Sequence, residues 1–334
     1  MKRFFSRCPW LLVVLFLASA CGAGPATTRP ATSTPAVTAP PTGTAPPTGT
    51  APPLPSPAPS PTPSTVPTAE PLPTGPPVGA SPGQTWRRPA DGTTMVYVPA
   101  GEFEMGSNDP YYNNEHPPHR VGLDAFWLDQ TEVTNGQYRA CEQAGACKPP
   151  DSESSFTRSL YYDQEAYEEF PVVHVNWYRA VAYCQWVGGR LPTEEEWEYA
   201  ARGPESRWFP WGDAPDPARL NYCDARCPLP HADPSGDDGY ADTAPVGSYP
   251  AGASWCGALD LVGNVWEWVW DWYGFYPAEE NPDWLAPEMQ NRVIRGGAWD
   301  TNADHARCTF RNWYNPTESH DSIGFRCAVS PQEP

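Results

Sequence analysis

The residues with the clearest potential for chemistry lie in residues 258–274, which read ALDLVGNVWEWVWDWYG. Four of them are tryptophans at every second position, the side-chain period of a β-strand: Trp266, Trp268, Trp270 and Trp272. A solvated strand does not expose so much apolar surface, so this face is predicted to be a core wall or the floor of a binding site. Three carboxylates (Asp260, Glu267 and Asp271) interrupt the run, which indicates that it is more than an apolar plug.

Cysteine is the second residue type that points to chemistry. Of ten cysteines, Cys8 and Cys21 lie near the N-terminus and eight follow: Cys141, Cys147, Cys184, Cys223, Cys227, Cys256, Cys308 and Cys327. An even number outside the cytoplasm predicts disulfides. The alternative for Cys223 and Cys227 is a zinc site, since their spacing is tolerable, but no second pair at finger-like spacing accompanies them.

The N-terminus predicts export. Residues 1–20 combine a basic start, a short apolar core and a small-residue cleavage site, which is the pattern of a signal peptide. Cys21 follows directly, and the string LASAC resembles a bacterial lipobox, in which this cysteine is acylated. An ordinary signal peptidase would also accept the site. We therefore expect a lipoprotein at the cell surface or in the periplasm, held to the membrane by its lipid, or alternatively a secreted protein.

Residues 21–85 are predicted to be a disordered tether that begins with the lipid-attachment cysteine. They consist mainly of Pro, Thr, Ala, Ser and Gly, with TAPPTG repeats, and cannot bury enough apolar area to fold. At ~3 Å per residue, such a chain would hold a domain on the order of 100 Å from a membrane. Residues 86–334 remain as one folded domain. The formal net charge of −19 argues against a nucleic-acid partner, which would want a basic patch.

The elements that must position these residues are short. Residues 94–99, 120–128, 293–299 and 324–329 have strand-like patterns, and residues 102–106 alternate like a hairpin arm. Residues 134–144, 177–187 and 190–203 have helical spacing. In the last of these, Thr193 and Glu196 form a predicted capping box. Prolines and glycines interrupt most other runs, so much of the domain is predicted to be loop.

Several blocks, taken in their order along the chain, resemble the formylglycine-generating enzyme, or sulfatase-modifying factor, family. They are PVVHVNWYRAVAYCQWVGGRLPTEEEWEYAARG, FPWG, TAPVGSYP, GALDLVGNVWEW, RVIRGGAW and GFRCA. The resemblance covers nearly all of the folded part. It implies an α+β fold, a variant of the C-type lectin fold with little regular secondary structure.

The resemblance also implies two calcium sites. The first would use the side chains of Asn221 and Asp238 with the carbonyls of Tyr222 and Tyr240. The second would use the side chains of Asp260 and Glu267 with the carbonyls of Gly263 and Val265. Oxygen ligands on irregular loops suit Ca²⁺. The alternative is that these side chains only cap turns.

Copper is not expected. The family's active enzymes oxidise a sulfatase cysteine with Cu(I) held by two thiolates, ligands that suit this soft ion. The resemblance places that pair after Gly296 and Gly297, but residues 296–307 contain no cysteine. Cys308 matches a later, structural cysteine of the family, and Ala298 replaces a serine that the active enzyme uses.

For the remaining cysteines, the resemblance implies a disulfide between Cys184 and Cys327. It places the family partner of Cys308 at Ala201, so that bridge is lost. Locality and elimination then pair the rest: Cys141 with Cys147, Cys223 with Cys227, and Cys256 with Cys308.

The function expected from these residues is that of a non-oxidase binding or scaffold module with calcium-stiffened loops. No catalytic residue is assigned. A ligand pocket is predicted to be lined by Trp266, Trp299, His305, Arg307 and Arg311. Aromatic faces beside arginines suit a peptide, a protein or a carbohydrate. The alternative is an oxidoreductase of the formylglycine-generating type that acts on protein or small-molecule thiols.

Overall fold

A computed structural model describes residues 75–77, 79–276 and 290–331. The predicted signal peptide, Cys21 and nearly all of the tether lie outside these residues. The described residues contain three α-helices: Asn135–Gln143 (α1), Trp177–Trp186 (α2) and Glu194–Arg202 (α3). Their ten strands are Thr85–Arg87 (β1), Thr94–Val98 (β2), Gly101–Met105 (β3), His119–Leu123 (β4), Phe126–Asp129 (β5), Trp266–Trp272 (β6), Arg292–Arg295 (β7), Arg311–Tyr314 (β8), Ile323–Phe325 (β9) and Ala328–Val329 (β10).

Local sequence sets the start of each helix. Thr134 and Thr193 cap α1 and α3, each within a complete capping box that Gln137 and Glu196 close from the third helical position. Asn176 caps α2 by accepting a hydrogen bond from the Arg179 N–H. All three predicted helices are therefore confirmed. Among the described residues, no helix is long and apolar enough to cross a membrane.

The strands form three sheets, in the orders β1-β2-β5-β10, β3-β4 and β8-β7-β6-β9. Two expected single strands are each divided between sheets: residues 120–128 into β4 and β5, and residues 324–329 into β9 and β10. In each case the chain bends, and the parts before and after the bend join different sheets. The periodicity of the sequence does not show where such a bend occurs. With three helices, short strands and much loop, the predicted α+β class is confirmed.

The tryptophan run is a strand, as predicted, but its tryptophans do not form one uniform wall. Trp266 and Trp268 are buried, whereas Trp270 is 43% exposed. The register of β6 against β7 shifts between Trp268 and Trp272, which marks a β-bulge. Four residue steps of β6 lie opposite two steps of β7 there, so the ladder is interrupted around Trp270 and the regular alternation of side chains is lost. The side chains of the first half of the strand therefore lie in the core, and those of the second half lie at or near the surface.

Three disulfides join Cys141 to Cys147, Cys184 to Cys327 and Cys223 to Cys227. The zinc alternative for Cys223 and Cys227 is therefore wrong.

The expected pairing of Cys256 with Cys308 is also wrong, because both are free, fully buried thiols in the core. The two cysteines have different neighbours. The Cys256 sulfur lies 3.3 Å from the Ser254 hydroxyl, and the Cys308 backbone N–H donates to the Trp208 carbonyl. Burial raises the pKa of Cys308 to about 12, so this thiol stays protonated at neutral pH.

Candidate functional site

The loop before β6 has the irregular backbone that the second predicted calcium site requires. Asp260, Gly263 and Asn264 have φ angles of 54°, 83° and 57°, in the left-handed region. A Cβ on Gly263 would lie 2.4 Å from the Asn221 carbonyl oxygen, so only glycine fits there. The Asn264 N–H also donates to that oxygen. The segments that carry the two predicted sites are thus packed directly against each other.

Glu267 is already paired in this structure. Its two carboxylate oxygens accept hydrogen bonds from Nε and Nη2 of Arg326 at 2.8 and 2.7 Å, and Oε2 also accepts from Trp197 Nε1 at 2.8 Å. All three residues are buried. A guanidinium matches a carboxylate at two points, so the side chain expected to bind the cation also pairs with Arg326. Asp260 is the other acidic side chain of the second predicted site.

Negative charge exceeds positive charge around that loop. Glu132 and Asp260 lie close enough to Glu267 and Arg326 to interact electrostatically, so three buried carboxyl groups share one guanidinium. Burial raises the pKa of Asp260 to about 6 and the pKa of Glu132 well above its usual range. Oε2 of Glu132 is buried without a hydrogen-bond donor. A bound divalent cation would compensate this charge.

The first predicted site has a similar unsatisfied acceptor. Oδ1 of Asn221 is buried without a partner, while its amide group donates to Asn264 Oδ1 at 3.1 Å. Asp238 accepts the backbone N–H groups of Tyr222 and Tyr240, each at 2.9 Å. Burial raises the pKa of Asp238 to about 6 despite those bonds. An acceptor without a donor and a half-buried carboxyl group fit an oxygen-ligated cation.

Neither site is a cluster of acidic side chains alone. In the described part of the chain, no three His, Cys, Asp or Glu side chains are arranged to hold a metal ion. Both predicted sites take half of their ligands from backbone carbonyls, and the first adds the Asn221 amide oxygen, as calcium sites on loops do. The donor set therefore fits calcium rather than a transition metal.

The predicted ligand pocket is only partly assembled. The Trp266 ring lies 5.8 Å from the Phe310 ring, and the His305 ring stacks on the same phenyl group at 4.4 Å. Tyr112 meets both Phe310 and His305 edge-on. The structure thus places Trp266 and His305 in one aromatic cluster, defined by Tyr112, Trp266, His305 and Phe310.

Trp299 lies beside this cluster but is only 2% exposed. Its indole N–H donates to the Asp321 carbonyl, and the Phe156 ring covers it at 5.1 Å. Phe156 is itself 48% exposed. A ligand that approaches from this side meets Phe156 first, so this phenyl ring, which the sequence analysis did not single out, is the accessible part of the surface.

Arg307 and Arg311, which were also predicted to line the pocket, form ion pairs with glutamates. Arg307 pairs with Glu115 at 2.9 Å and lies over the Tyr112 ring at 4.5 Å, which keeps it at the edge of the aromatic cluster. Arg311 binds both carboxylate oxygens of Glu194 at 2.6 and 2.7 Å. Arg307 and Arg311 are both buried. Their charges are already compensated, so they act first as structural ion pairs, and Arg311 is not brought to the aromatic cluster.

Three residues that connect these features are not predicted from the sequence. Asn264 donates to Glu132 at 3.0 Å and accepts from Asn221, and so joins the surroundings of both calcium sites. Arg326 lies in the GFRCA block but received no role. A signal was present for Glu132, a charged residue shortly after the buried strand β5 and just before the Thr134 cap. Its significance depends on contacts between distant segments.

Comparisons with known proteins agree with this architecture. Residues 82–331 match the sulfatase-modifying factor enzyme 1-like domain. A formylglycine-generating enzyme of Bos taurus is 33% identical over 290 residues, covering 72% of this chain and 76% of its own length. The inactive C-alpha-formylglycine-generating enzyme 2 of Bos taurus is also 33% identical, over 75% of this chain and 93% of its own.

A solved structure is similar as well. PvdO from Pseudomonas aeruginosa is 28% identical and superposes with a TM-score of 0.61, over 75% of this chain and 99% of that chain. The predicted variant of the C-type lectin fold is confirmed. On these grounds the chain belongs to the family of sulfatase-modifying factors and formylglycine-generating enzymes.

Proposed function

We propose that this chain is an exported binding or scaffold module that does not carry out the copper oxidase chemistry of the family. The observation that carries the proposal is the set of cysteines. Six form disulfides in the described residues, and the two thiols left there, Cys256 and Cys308, are fully buried. A Cu(I) site with two accessible thiolates cannot be built from them.

The ligand surface that we propose is the aromatic cluster with the Phe156 and Trp299 rings beside it. Exposed Phe156 offers an aromatic face, and half-buried His305 adds a polar ring edge. Such a combination suits a peptide, a protein or a carbohydrate, as expected from the sequence. Calcium would stiffen the neighbouring loops, and the disulfides support an oxidising compartment. Attachment through Cys21 and the tether to a membrane completes the proposal.

The alternative is an oxidoreductase of the formylglycine-generating type, which the 33% identity to such an enzyme favours. To separate the two, the full chain is loaded with Cu(I) and incubated with a sulfatase-type cysteine peptide, and the peptide is analysed by mass spectrometry. An active formylglycine-generating enzyme serves as the positive control. We expect no aldehyde product with either the wild type or Cys308→Ala. Catalytic aldehyde formation by the wild type that Cys308→Ala abolishes would overturn the proposal.

Calcium is expected to stabilise the domain. Asn221 and Asp238, with the carbonyls of Tyr222 and Tyr240, would hold one ion. Asp260 and Glu267, with the carbonyls of Gly263 and Val265, would hold another, near the unpartnered oxygen of Glu132. At a calcium concentration of 100 Kd, linkage predicts a gain of about 2.7 kcal/mol per site in the free energy of unfolding. The melting temperature measured with Ca²⁺ should therefore exceed the value measured with a chelator by several degrees.

Matched variants identify the site. Asp260→Asn should lose at least half of the calcium-dependent rise in melting temperature, whereas Asp124→Asn on the exposed surface should keep all of it. Equal melting temperatures of the wild type with Ca²⁺ and with the chelator would rule out both ions.

A further inference from the structure

The outer half of β6 forms a feature that the proposed function does not use. Beyond the bulge, Trp270 presents its indole at the surface, 43% exposed. It forms one wall of a cavity of about 220 Å³, which is completed by the outer side of α2 and by the segment that enters α3. The lining residues are Val181, Gln185, Gly189, Arg190, Thr193 and Trp270.

The backbone that carries this indole is fixed. The backbone N–H of Trp270 donates to the Pro192 carbonyl at 2.9 Å, and its backbone carbonyl accepts from Arg292. The Trp177 ring lies behind it at 5.3 Å. The Arg292 guanidinium carbon lies 3.8 Å from the Trp177 ring centre and 3.6 Å from that of Trp272, a cation held between two indoles. An aromatic face fixed in this way loses little entropy when a ligand stacks on it.

Three polar side chains stand on the facing wall, beside Val181 and Gly189. Thr193 Oγ1 accepts the Glu196 N–H as the helix cap, which leaves its own O–H as a donor. Arg190 contacts both oxygens of Glu196 at 2.6 Å, so this charge pair is neutral. Gln185 brings an exposed amide from α2. A purely apolar occupant would remove these groups from water without replacing their hydrogen bonds, which costs free energy.

We propose that this cavity binds one ring of a neutral pyranose sugar, stacked on Trp270. One face of a β-linked glucose or N-acetylglucosamine ring carries C–H bonds that complement the electron-rich indole face. Its equatorial hydroxyls reach donors and acceptors at the rim, which Gln185, Arg190 and Thr193 supply. The cavity accommodates a single ring. Because the Arg190 and Glu196 charges cancel and the chain carries a formal charge of −19, an anionic sugar is disfavoured.

This site is separate from the aromatic cluster. None of its six lining residues belongs to that cluster, and its occupation does not depend on whether the domain oxidises thiols. If the sugar site is disproved, the proposed function still stands. If the proposed function is disproved, the sugar site still stands.

The test is saturation-transfer-difference NMR of the full chain with cellotetraose and with chitotetraose. A single-ring site predicts weak binding, with a Kd on the order of 1 mM. We expect transfer to the ring C–H protons of at least one oligosaccharide, and none with Trp270→Ala. Trp313→Ala is the matched control: Trp313 is 45% exposed on β8 of the same sheet and stacks on Tyr273, but does not line the cavity. It should bind within twofold of the wild type.

Two further variants guard against misfolding. Trp270→Phe keeps an aromatic face and should retain weakened binding, and Gln185→Ala should weaken binding severalfold without touching the sheet. N-acetyl-tryptophanamide is measured in parallel as a surrogate for an aromatic side chain of a partner protein. The proposal is overturned if neither oligosaccharide shows transfer at a concentration of about ten times the expected Kd of ~1 mM. It is also overturned if Trp270→Ala binds as the wild type does, or if only the tryptophan surrogate binds.

Discussion

Replacing Arg326 with alanine is expected to lower the free energy of unfolding by about 3–5 kcal/mol, the usual cost of removing one partner of a buried ion pair. The guanidinium is fully buried and makes five hydrogen bonds. Two go to the Glu267 carboxylate, and three go to backbone carbonyls: those of Asp129, Gln130 and Leu259. Without it, Glu267 keeps its place beside two other buried carboxyl groups with no positive charge nearby.

The effect should be measured by urea unfolding of the full chain in the presence of a chelator, so that calcium does not mask the lost charge. Arg120→Ala is the matched control. Arg120 also pairs with a glutamate, Glu102 at 2.8 Å, but both side chains are largely exposed. Exposed pairs contribute about 0–1 kcal/mol, so this control should be almost neutral. If both arginine variants lose the same free energy of unfolding, the buried pair contributes no more to stability than the exposed pair.

Removing the Cys184–Cys327 disulfide by a double change to alanine is expected to have a comparably large effect. The bond joins residues 143 apart in sequence and fastens α2 to the link between β9 and β10. In the chain-entropy description, a loop of that length restricts the unfolded state by about 5 kcal/mol. Both sulfurs are also fully buried, so alanine leaves small cavities in the core. Thermal and urea unfolding should both show the loss.

A second disulfide gives the comparison. Cys223 and Cys227 are only four residues apart, and the same description assigns that loop about 2 kcal/mol. The double alanine variant at Cys223 and Cys227 should therefore be the milder one. A reversed order would mean that local strain in the native state, and not restriction of the unfolded chain, governs the contribution of these bonds.

The sequence predicted local features well because their causes are local. The capping box at Thr193 depends on residues three positions apart, and the structure has it. The period of the tryptophan run gave a strand at the right place. The strand near residue 120 was placed correctly but taken as continuous, because nothing within an apolar run marks where the chain turns from one sheet into another.

The candidate sites were harder to predict, because each depends on which side chains from distant parts of the sequence contact it in the folded structure. Glu267 had the chemistry of a calcium ligand, but Arg326, 59 residues later, reaches both of its oxygens. Cys256 and Cys308 were expected to pair by elimination, but each is packed into the core with its own neighbours. Elimination treats cysteines as if all must pair, whereas a buried thiol is also a satisfactory small apolar side chain.

The amino-acid sequence by itself determined the family, the helix starts, the strand that carries the tryptophans and the absence of cysteine from residues 296–307. These follow from the order, period and identity of neighbouring residues. Only the tertiary structure decided which carboxylates are neutralised, that Phe156 covers Trp299, and that a bulge turns Trp270 outward beside the polar rim of a cavity. The physical reason is that charge compensation and burial depend on the distances between side chains that are far apart in the chain.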